Sequence, residues 1–426
     1  MIKIVIIADD FTGVLDTGVQ FSKLGIPTLV TTDTELDFLS ISGDIQVLAI
    51  DAETRHASPA AAYNRVYKLA QKAIKSGIPH IYKKTDSTLR GNIGSELVAL
   101  LDAANQTQLV FAPAFPKNRR VTRRGIQYCG DTEIHKTAFA IDPLNPITTS
   151  NIKDILQSQT DISIQLSSVD AYETVISTTP TDKTICVFDA STDEDFHRLG
   201  NLMKDYNKSA LMAGSAGLAA ILPSVIDFSP VQKKQVLHGE FPLVIVGSVN
   251  QTSLNQIQDA RKNGFPVIAL TPEQRLNPAY FDSAGSDAFM QTVKQTLSQN
   301  GKIVIGTICD RKQMEDTSAY AKLLNIPEEE IPSRIVNNIG RFVRKVLDSE
   351  ITNTFVIFGG DTLLGVLNSI HYHGIIPVAE IFPGVVLSQI QYKNKNLLLA
   401  TKAGGFGDND AITRICSYLL CRQISP

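Results

Sequence analysis

Cysteine is scarce in this chain: five residues, at 129, 186, 309, 416 and 421, an odd number with no CxxC pair. That argues against a disulfide framework or a cysteine zinc site and points to a reducing cytoplasm. Long apolar runs are missing as well. No stretch approaches the roughly 18 apolar residues that span a bilayer. The opening run, Met-Ile-Lys-Ile-Val-Ile-Ile, is too short for a signal-peptide core and passes straight into Asp9-Asp10. Neither sign of charge dominates. A formal net charge of -3 offers no broad attraction for nucleic acid or an anionic membrane, so a small-molecule ligand is expected. Two familiar nucleotide motifs are also absent, the GxxxxGK[ST] loop and a GxGxxG followed by an acid.

What is present is an ordinary globular composition, 43% apolar and 19% charged, in 426 residues. That length exceeds one usual core and predicts two domains. Short β-branched runs recur, each followed by a helical stretch: "IKIVIIA", "IPTLVTT", "DIQVLAI", "HIYKKT", "QLVFAPA", "TICVFDA" and "SALMAG". This alternation predicts βαβ units and an α/β fold with mainly parallel sheets flanked by helices. The pattern breaks over "PSVIDFSPVQKKQVLHGEFP" and restarts with "FPLVIVGS", "PVIALT", "KIVIGTI", "TFVIFGGD", "IIPVAEI" and "NLLLATKAGGFG". The expected organisation is an N-terminal domain over 1–228, a linker over 229–242 and a C-terminal domain over 243–426, with an active site in the cleft between them.

The chemistry-bearing residues gather at strand ends, where open α/β sheets bind ligands. "ADDFTG" sets Asp9 and Asp10 side by side after a strand fit for burial, before a helix expected from about Val14. One Asp there is accounted for as a helix cap. Two adjacent acids need cations or hydrogen bonds, and can hold a polyhydroxylated substrate, a cation or a proton. "KKTDSTLRGNIGSEL" packs Lys84, Asp86, Ser87, Thr88 and Arg90 into seven residues, Thr85 among them, with cations for a carboxylate or phosphate and Asp86 and Ser87 for hydroxyls; the alternative is a solvated capping loop with internal salt bridges. Arg55 of "DAETRH" follows a strand and is expected to grip a carboxylate bidentately. The basic run "PKNRRVTRRG", 116 to 125, which holds Arg119 to Arg124, reads as a solvated surface loop, with contact to an anion as the alternative. His371 and His373 lack the acid or cysteine company of a metal site and are placed at a helix end.

In the second half, "FVIFGGDTLLGVL" ends a buried strand in Gly359-Gly360, with a helix expected near Thr362 whose free N–H groups suit a phosphate. Asp361 is positioned to hold Mg²⁺ or to cap that helix. The last strand leads to Gly404, Gly405 and Gly407, and "VIVGSVNQTSLNQ" brings Ser248 and Ser253 after another. Three such turns on one sheet edge point to a nucleotide phosphate site.

Together these residues resemble the four-carbon acid sugar kinase family, over nearly the whole chain. The resemblance rests on "ADDFTG", "KTDSTLRGN", "PAFPKN", "DPLNP" and "AGSAGLA", then on "GS" followed by "TSLNQ", "GGDT", "FPG" and "KAGGFG". It implies an ATP- and Mg²⁺-dependent kinase acting on the terminal hydroxyl of a four-carbon sugar acid, D-threonate or D-erythronate, with a 3-oxo-tetronate as the alternative acceptor. It further implies that Asp9, Asp10, Arg55, Lys84, Thr85, Asp86, Ser87 and Arg90 meet the acid, with Asp10 and Asp86 catalytic. Ser248, Ser253, Gly359, Gly360, Asp361, Thr362, Gly404, Gly405 and Gly407 would meet ATP. The partners are then small molecules, with a homodimer compatible. Two rivals stand beside it. An aspartate-nucleophile phosphatase needs DxDxT, and here the second acid comes one position too early. A non-catalytic sugar-acid or nucleotide sensor would bind without forming ADP.

Overall fold

The protein was analysed as a computed structural model that describes residues 1–41, 44–142, 144–206, 211–229, 239–372 and 374–420. The chain divides into two compact units, Met1–Lys234 and Gln235–Pro426. Most of the expected linker, 230–238, lies outside the described residues.

The first unit is built on eight parallel strands. β1 (Ile4–Ala8), β2 (Thr28–Thr31), β3 (Val47–Asp51), β4 (His80–Lys84) and β5 (Gln108–Ala112) fall on the runs read from sequence. A hairpin of β6 (Arg120–Arg123) and β7 (Ile126–Cys129) follows, with β8 (Thr132–Glu133) alongside, before β9 (Ser163–Ser167), β10 (Thr184–Phe188) and β11 (Leu211–Gly214). The sheet order is β2-β3-β1-β4-β11-β5-β10-β9. β1 therefore sits where the chain, having gone one way to β3, turns the other way to β4. Helices α1 (Phe11–Ser22), α2 (Pro59–Lys75) and α3 (Ile93–Ala104) are the connections that matter for the site. Val5, Ile7, Leu48 and Ile50 on one face of the strands pack with Val66, Leu97 and Leu100 from α2 and α3.

The second unit has the strand order β13-β14-β12-β15-β18-β17-β16, with β12 (Leu243–Val246), β13 (Val267–Ala269), β14 (Ile303–Gly306), β15 (Thr354–Phe358), β16 (Gly374–Phe382), β17 (Val385–Tyr392) and β18 (Lys395–Lys402). The first five in that order are parallel, and β12 is the switch point between β14 and β15. β18, β17 and β16 form an antiparallel meander. Three helices start beside the strand ends of interest: α4 (Gln251–Lys262), α5 (Gly360–Ser369) and α6 (Ala411–Leu420). Val244, Val246, Val356 and Phe358 meet Ile412 and Ile415 of α6 in the apolar core.

One expectation is corrected. The basic run is no solvated loop: Val121 and Thr122 are buried, and Arg124-Gly125, at φ 51° and 70°, make the two-residue turn of a hairpin. That pair of left-handed residues matches strand twist, while the arginine count had masked the buried Val-Thr pair. The sheets are mainly parallel, as expected, and the antiparallel part arises where Lys393-Asn394, at φ 44° and 64°, turns β17 directly into β18 with no crossover helix. Among the described residues no helix is long and apolar enough to cross a membrane.

Candidate active site

β1 ends at the switch point of the first unit, and there the acidic doublet finds its cation. Arg55 Nε and Nη2 both lie 2.8 Å from Asp9 Oδ2, and Nη1 lies 2.6 Å from Asp10 Oδ2. The backbone prepares this contact, since the amides of Thr54 and Arg55 both donate to the carbonyl of Asp9 at 3.1 Å. Asp10 also caps α1, accepting from the Gly13 amide at 2.9 Å and from Thr12 Oγ1 at 2.8 Å. The helix thus starts at Phe11, three residues before the expected start. Gly13 leaves room for these side chains: a Cβ there would lie 2.5 Å from Asp10 Oδ1 and 2.9 Å from Lys84 Nζ, and both would have to shift. The free fork expected of Arg55 is instead engaged by two carboxylates.

The turn after β4 supplies the rest. Asp86 Oδ2 accepts from Arg90 Nε at 2.6 Å and from the hydroxyl of Thr88. Arg90 Nη1 reaches Asp142 at 3.1 Å, and its guanidinium and that of Arg120 lie 5.4 and 5.3 Å from the centre of the Phe139 ring. Lys84 Nζ donates to the Thr85 carbonyl at 2.8 Å, and the Thr85 amide is tied to the Gly214 carbonyl at 2.8 Å. Ser87 is buried, its carbonyl accepting from Gln127 at 2.8 Å. Adjacent strand residues point to opposite faces, so Lys83 is carried away from Lys84. It meets Glu96 of α3 at 3.0 Å, both side chains fully buried.

These contacts fix the ionisation states. Burial pushes the Asp10 carboxyl up, but Arg55 and Lys84 outweigh it, and the group lies below the ordinary carboxylate range. Asp86 is likewise disfavoured as an anion by burial, yet Arg90 and Arg55 hold it far below that range. Arg55 moves the other way: burial works against its charge, and Asp10, Asp9 and Asp86 together hold it well above the usual guanidinium value. Both candidate catalytic aspartates are anions at neutral pH, able to accept hydrogen bonds from hydroxyl groups.

In the second unit three strand-end turns come together. A Cβ on Gly247 would sit 1.9 Å from Thr362 Oγ1, and one on Gly404 would sit 2.3 Å from Ser248 Oγ, so both approaches require glycine. Ser253 Oγ donates to the Gly404 carbonyl at 2.9 Å, and the Gly359 amide to the Lys402 carbonyl at 2.9 Å. Gly359, at φ 114°, leads into α5, which begins at Gly360. Asp361, in the first turn, does not cap the helix; it is exposed beside the turns. Gln256 Nε2 binds the carbonyls of Phe406, Gly407 and Asp408 at 3.0, 3.2 and 2.9 Å. With carbonyls turned inward, the amides of Gly404, Gly405 and Gly407 donate to no protein acceptor among the described residues. A run of free N–H groups beside a helix N-terminus has the chemistry to receive an anion.

The residues singled out from sequence therefore form two constellations, one per unit. Reasoning from sequence missed Lys83, Glu96, Asp142, Gln256 and Lys402, which support the site from behind. The Lys83-Lys84 doublet was the available signal, because a strand must turn one of the two inward. His371 follows α5 at φ 52°, and His373 lies outside the described residues. Among the described residues no three or more His, Cys, Asp or Glu side chains cluster to hold a metal. Asp361, exposed in the first turn of α5, offers a hard oxygen ligand, a donor set that fits a Mg²⁺ ion taking its other ligands from phosphate and water.

Comparison with known proteins divides the chain at the same place. Residues 4–222 match a family model described as a sugar-binding N-terminal domain, and 243–412 one described as a nucleotide-binding C-terminal domain. The chain is 27% identical over 427 residues to a D-threonate kinase of Salmonella typhimurium, covering 98% of each. It is 26% identical over 437 residues to a D-erythronate kinase of Heliobacterium modesticaldum, covering 99% of this chain and 98% of that one. A 3-oxo-tetronate kinase of Pseudomonas fluorescens is 27% identical over 434 residues, 97% of this chain and 96% of that one. Among solved structures, a protein of Salmonella typhimurium LT2 shares the fold, with a TM-score of 0.80 at 22% identity over 97% of this chain and 99% of that one. Matched by both domain models, one in each unit, the chain belongs to the four-carbon acid sugar kinase family.

Proposed function

We propose that the chain transfers the terminal phosphoryl group of ATP to the 4-hydroxyl of D-threonate or D-erythronate. The observation that carries this reading is the Asp9-Asp10-Arg55 constellation beside Asp86 and Arg90, in which fixed anions and cations alternate. A short hydroxy-acid needs both: positive charge from Arg55, Lys84 and Arg90 for its carboxylate, and anionic oxygens of Asp10 and Asp86 for its hydroxyls. The relatives named D-threonate, D-erythronate and 3-oxo-tetronate kinase, all at 26–27% identity, support a four-carbon acid as acceptor.

Phosphoryl transfer asks for in-line placement and charge neutralisation more than for a strong base. Asp10 or Asp86, both ionised, takes the hydroxyl proton as the bond to phosphorus forms. The amides of Gly404, Gly405 and Gly407 and the first turn of α5 hold the polyphosphate, with Ser248 and Ser253 beside them. Asp361 would hold Mg²⁺, which when bound neutralises charge on the phosphates.

The test is coupled ADP detection with D-threonate, D-erythronate, 3-oxo-tetronates and longer acids, with and without Mg²⁺. ADP formed only with the two reduced acids and Mg²⁺ is the expected result. Turnover confined to 3-oxo-tetronates would move the substrate, and binding of acid and nucleotide with no ADP at all would leave a sensor.

A further inference from the structure

The "KAGGFG" stretch was read for its glycines, yet its lysine is the odder residue. Lys402 ends β18 with 1% of its surface exposed. Its ammonium donates to the carbonyls of Ala403 at 2.8 Å, Gly404 at 3.1 Å and Phe406 at 2.7 Å. An ammonium has three N–H donors, so all are engaged. No carboxylate pairs with it among the described residues, and the ring of Phe358 lies 4.4 Å away. The neighbours in register, Phe358 on β15 and Val385 on β17, are apolar. From α4 come the neutral Ser253 and Gln256, Asp361 of α5 is exposed, and Arg414 of α6 pairs with Asp408 at 3.7 Å and Asp410 at 3.8 Å. A buried cation without a counter-charge is costly, and burial pushes Lys402 down to about 7.

We propose that Lys402 is a positioning residue for the nucleotide. Its ammonium gathers the carbonyls of the 403–406 turn inward, so that the amides of Gly404, Gly405 and Gly407 face a polyphosphate, and it supplies positive charge behind them. Its own carbonyl accepts from the Gly359 amide at 2.9 Å. One residue thereby fixes both glycine turns. The inference rests on the nucleotide reading of the second unit and adds to it a residue that touches no ligand.

The experiment is calorimetric titration of the full chain with ADP and, separately, with D-threonate, for wild type and Lys402→Met. The folded variant is expected to bind ADP about thirtyfold more weakly, by the loss of charged hydrogen bonds, with D-threonate affinity unchanged. ADP affinity equal to wild type in a folded Lys402→Met protein would overturn the proposal. Should that variant not fold, wild type alone decides. A polyphosphate next to the ammonium favours its charged form, so ADP binding should take up protons, and affinity should fall about tenfold from pH 7.5 to 9.5. ADP affinity flat over that range would count against Lys402. A wild-type protein that binds no ADP at any pH removes the nucleotide reading itself, and the proposal with it.

Discussion

Arg55 meets Asp9 side-on, with Nε and Nη2 each 2.8 Å from a single oxygen, Oδ2, while Nη1 holds Asp10 at 2.6 Å. One guanidinium is therefore what allows two consecutive carboxylates to lie at the end of a buried strand. Its side chain is only 10% exposed. Arg55→Ala should cost about 3–5 kcal/mol of stability, the usual result of leaving buried charge unpaired, and should abolish turnover. Arg55→Lys keeps the charge but has no fork, so it should recover part of the stability and little of the activity. Thermal unfolding and ADP release measured on both variants check this; an Arg55→Lys protein with full turnover would show that charge alone suffices.

Asp86 offers a test of whether chemistry can be separated from nucleotide binding. It sits in the first unit, held ionised by Arg90 and Arg55 against the effect of burial. Asp86→Ala should lower kcat by about 10²–10⁴-fold, the range for loss of a positioned proton acceptor or orienting group, with ADP affinity unchanged. Equal turnover in variant and wild type would remove Asp86 from the reaction.

Much of this is legible in the sequence, for a physical reason: each β-branched run is short, apolar and followed by a turn rich in Gly, Asp, Ser or Thr, so the strand ends and their polar residues coincide. β17 was not legible, because "VVLSQIQY" mixes buried and polar positions and its partner begins after only two residues. The supports were harder still. Gln256 looks like any polar residue of a helix, and only the fold shows it binding three carbonyls of a turn about 150 residues away. Glu96 lies in a helix whose first turn ordinarily welcomes an acid, so nothing in the sequence marked it as the partner of Lys83.

Asp51, the last residue of β3, offers a pH-dependent test. Burial pushes its carboxyl up to about 8; the Glu53 amide works against this, and Asp10 adds to it. An unfolded aspartate titrates near 3.9. The folded state therefore prefers the neutral acid, and the stability this confers is complete below about pH 4 and lost as pH rises toward 8. Asp51→Asn mimics the neutral form. The variant should be about 2 kcal/mol more stable than wild type at pH 8, with the gap closing toward pH 4 in denaturant unfolding. An Asn variant less stable than wild type at pH 8 would mean that the carboxylate is favourably solvated where it sits.

The glycine turns of the second unit can be tested by sterics alone. A methyl group on Gly404 would lie 2.3 Å from Ser248 Oγ and 2.9 Å from Ser248 Cβ. Rotating the hydroxyl away relieves the first contact but not the second, so one of the two turns must move. Gly404→Ala should weaken ADP binding about tenfold, since amides aimed at a phosphate lose strength quickly with misplacement, while D-threonate binding stays the same. Removing the obstacle restores the fit: Ser248→Gly in the Gly404→Ala background clears both contacts and should bind ADP about as well as Ser248→Gly alone, which accounts for any contact Ser248 itself makes. If the double variant binds ADP no better than Gly404→Ala, collision with Ser248 is not what limits the single variant, and the close approach of these two turns has no part in holding the nucleotide.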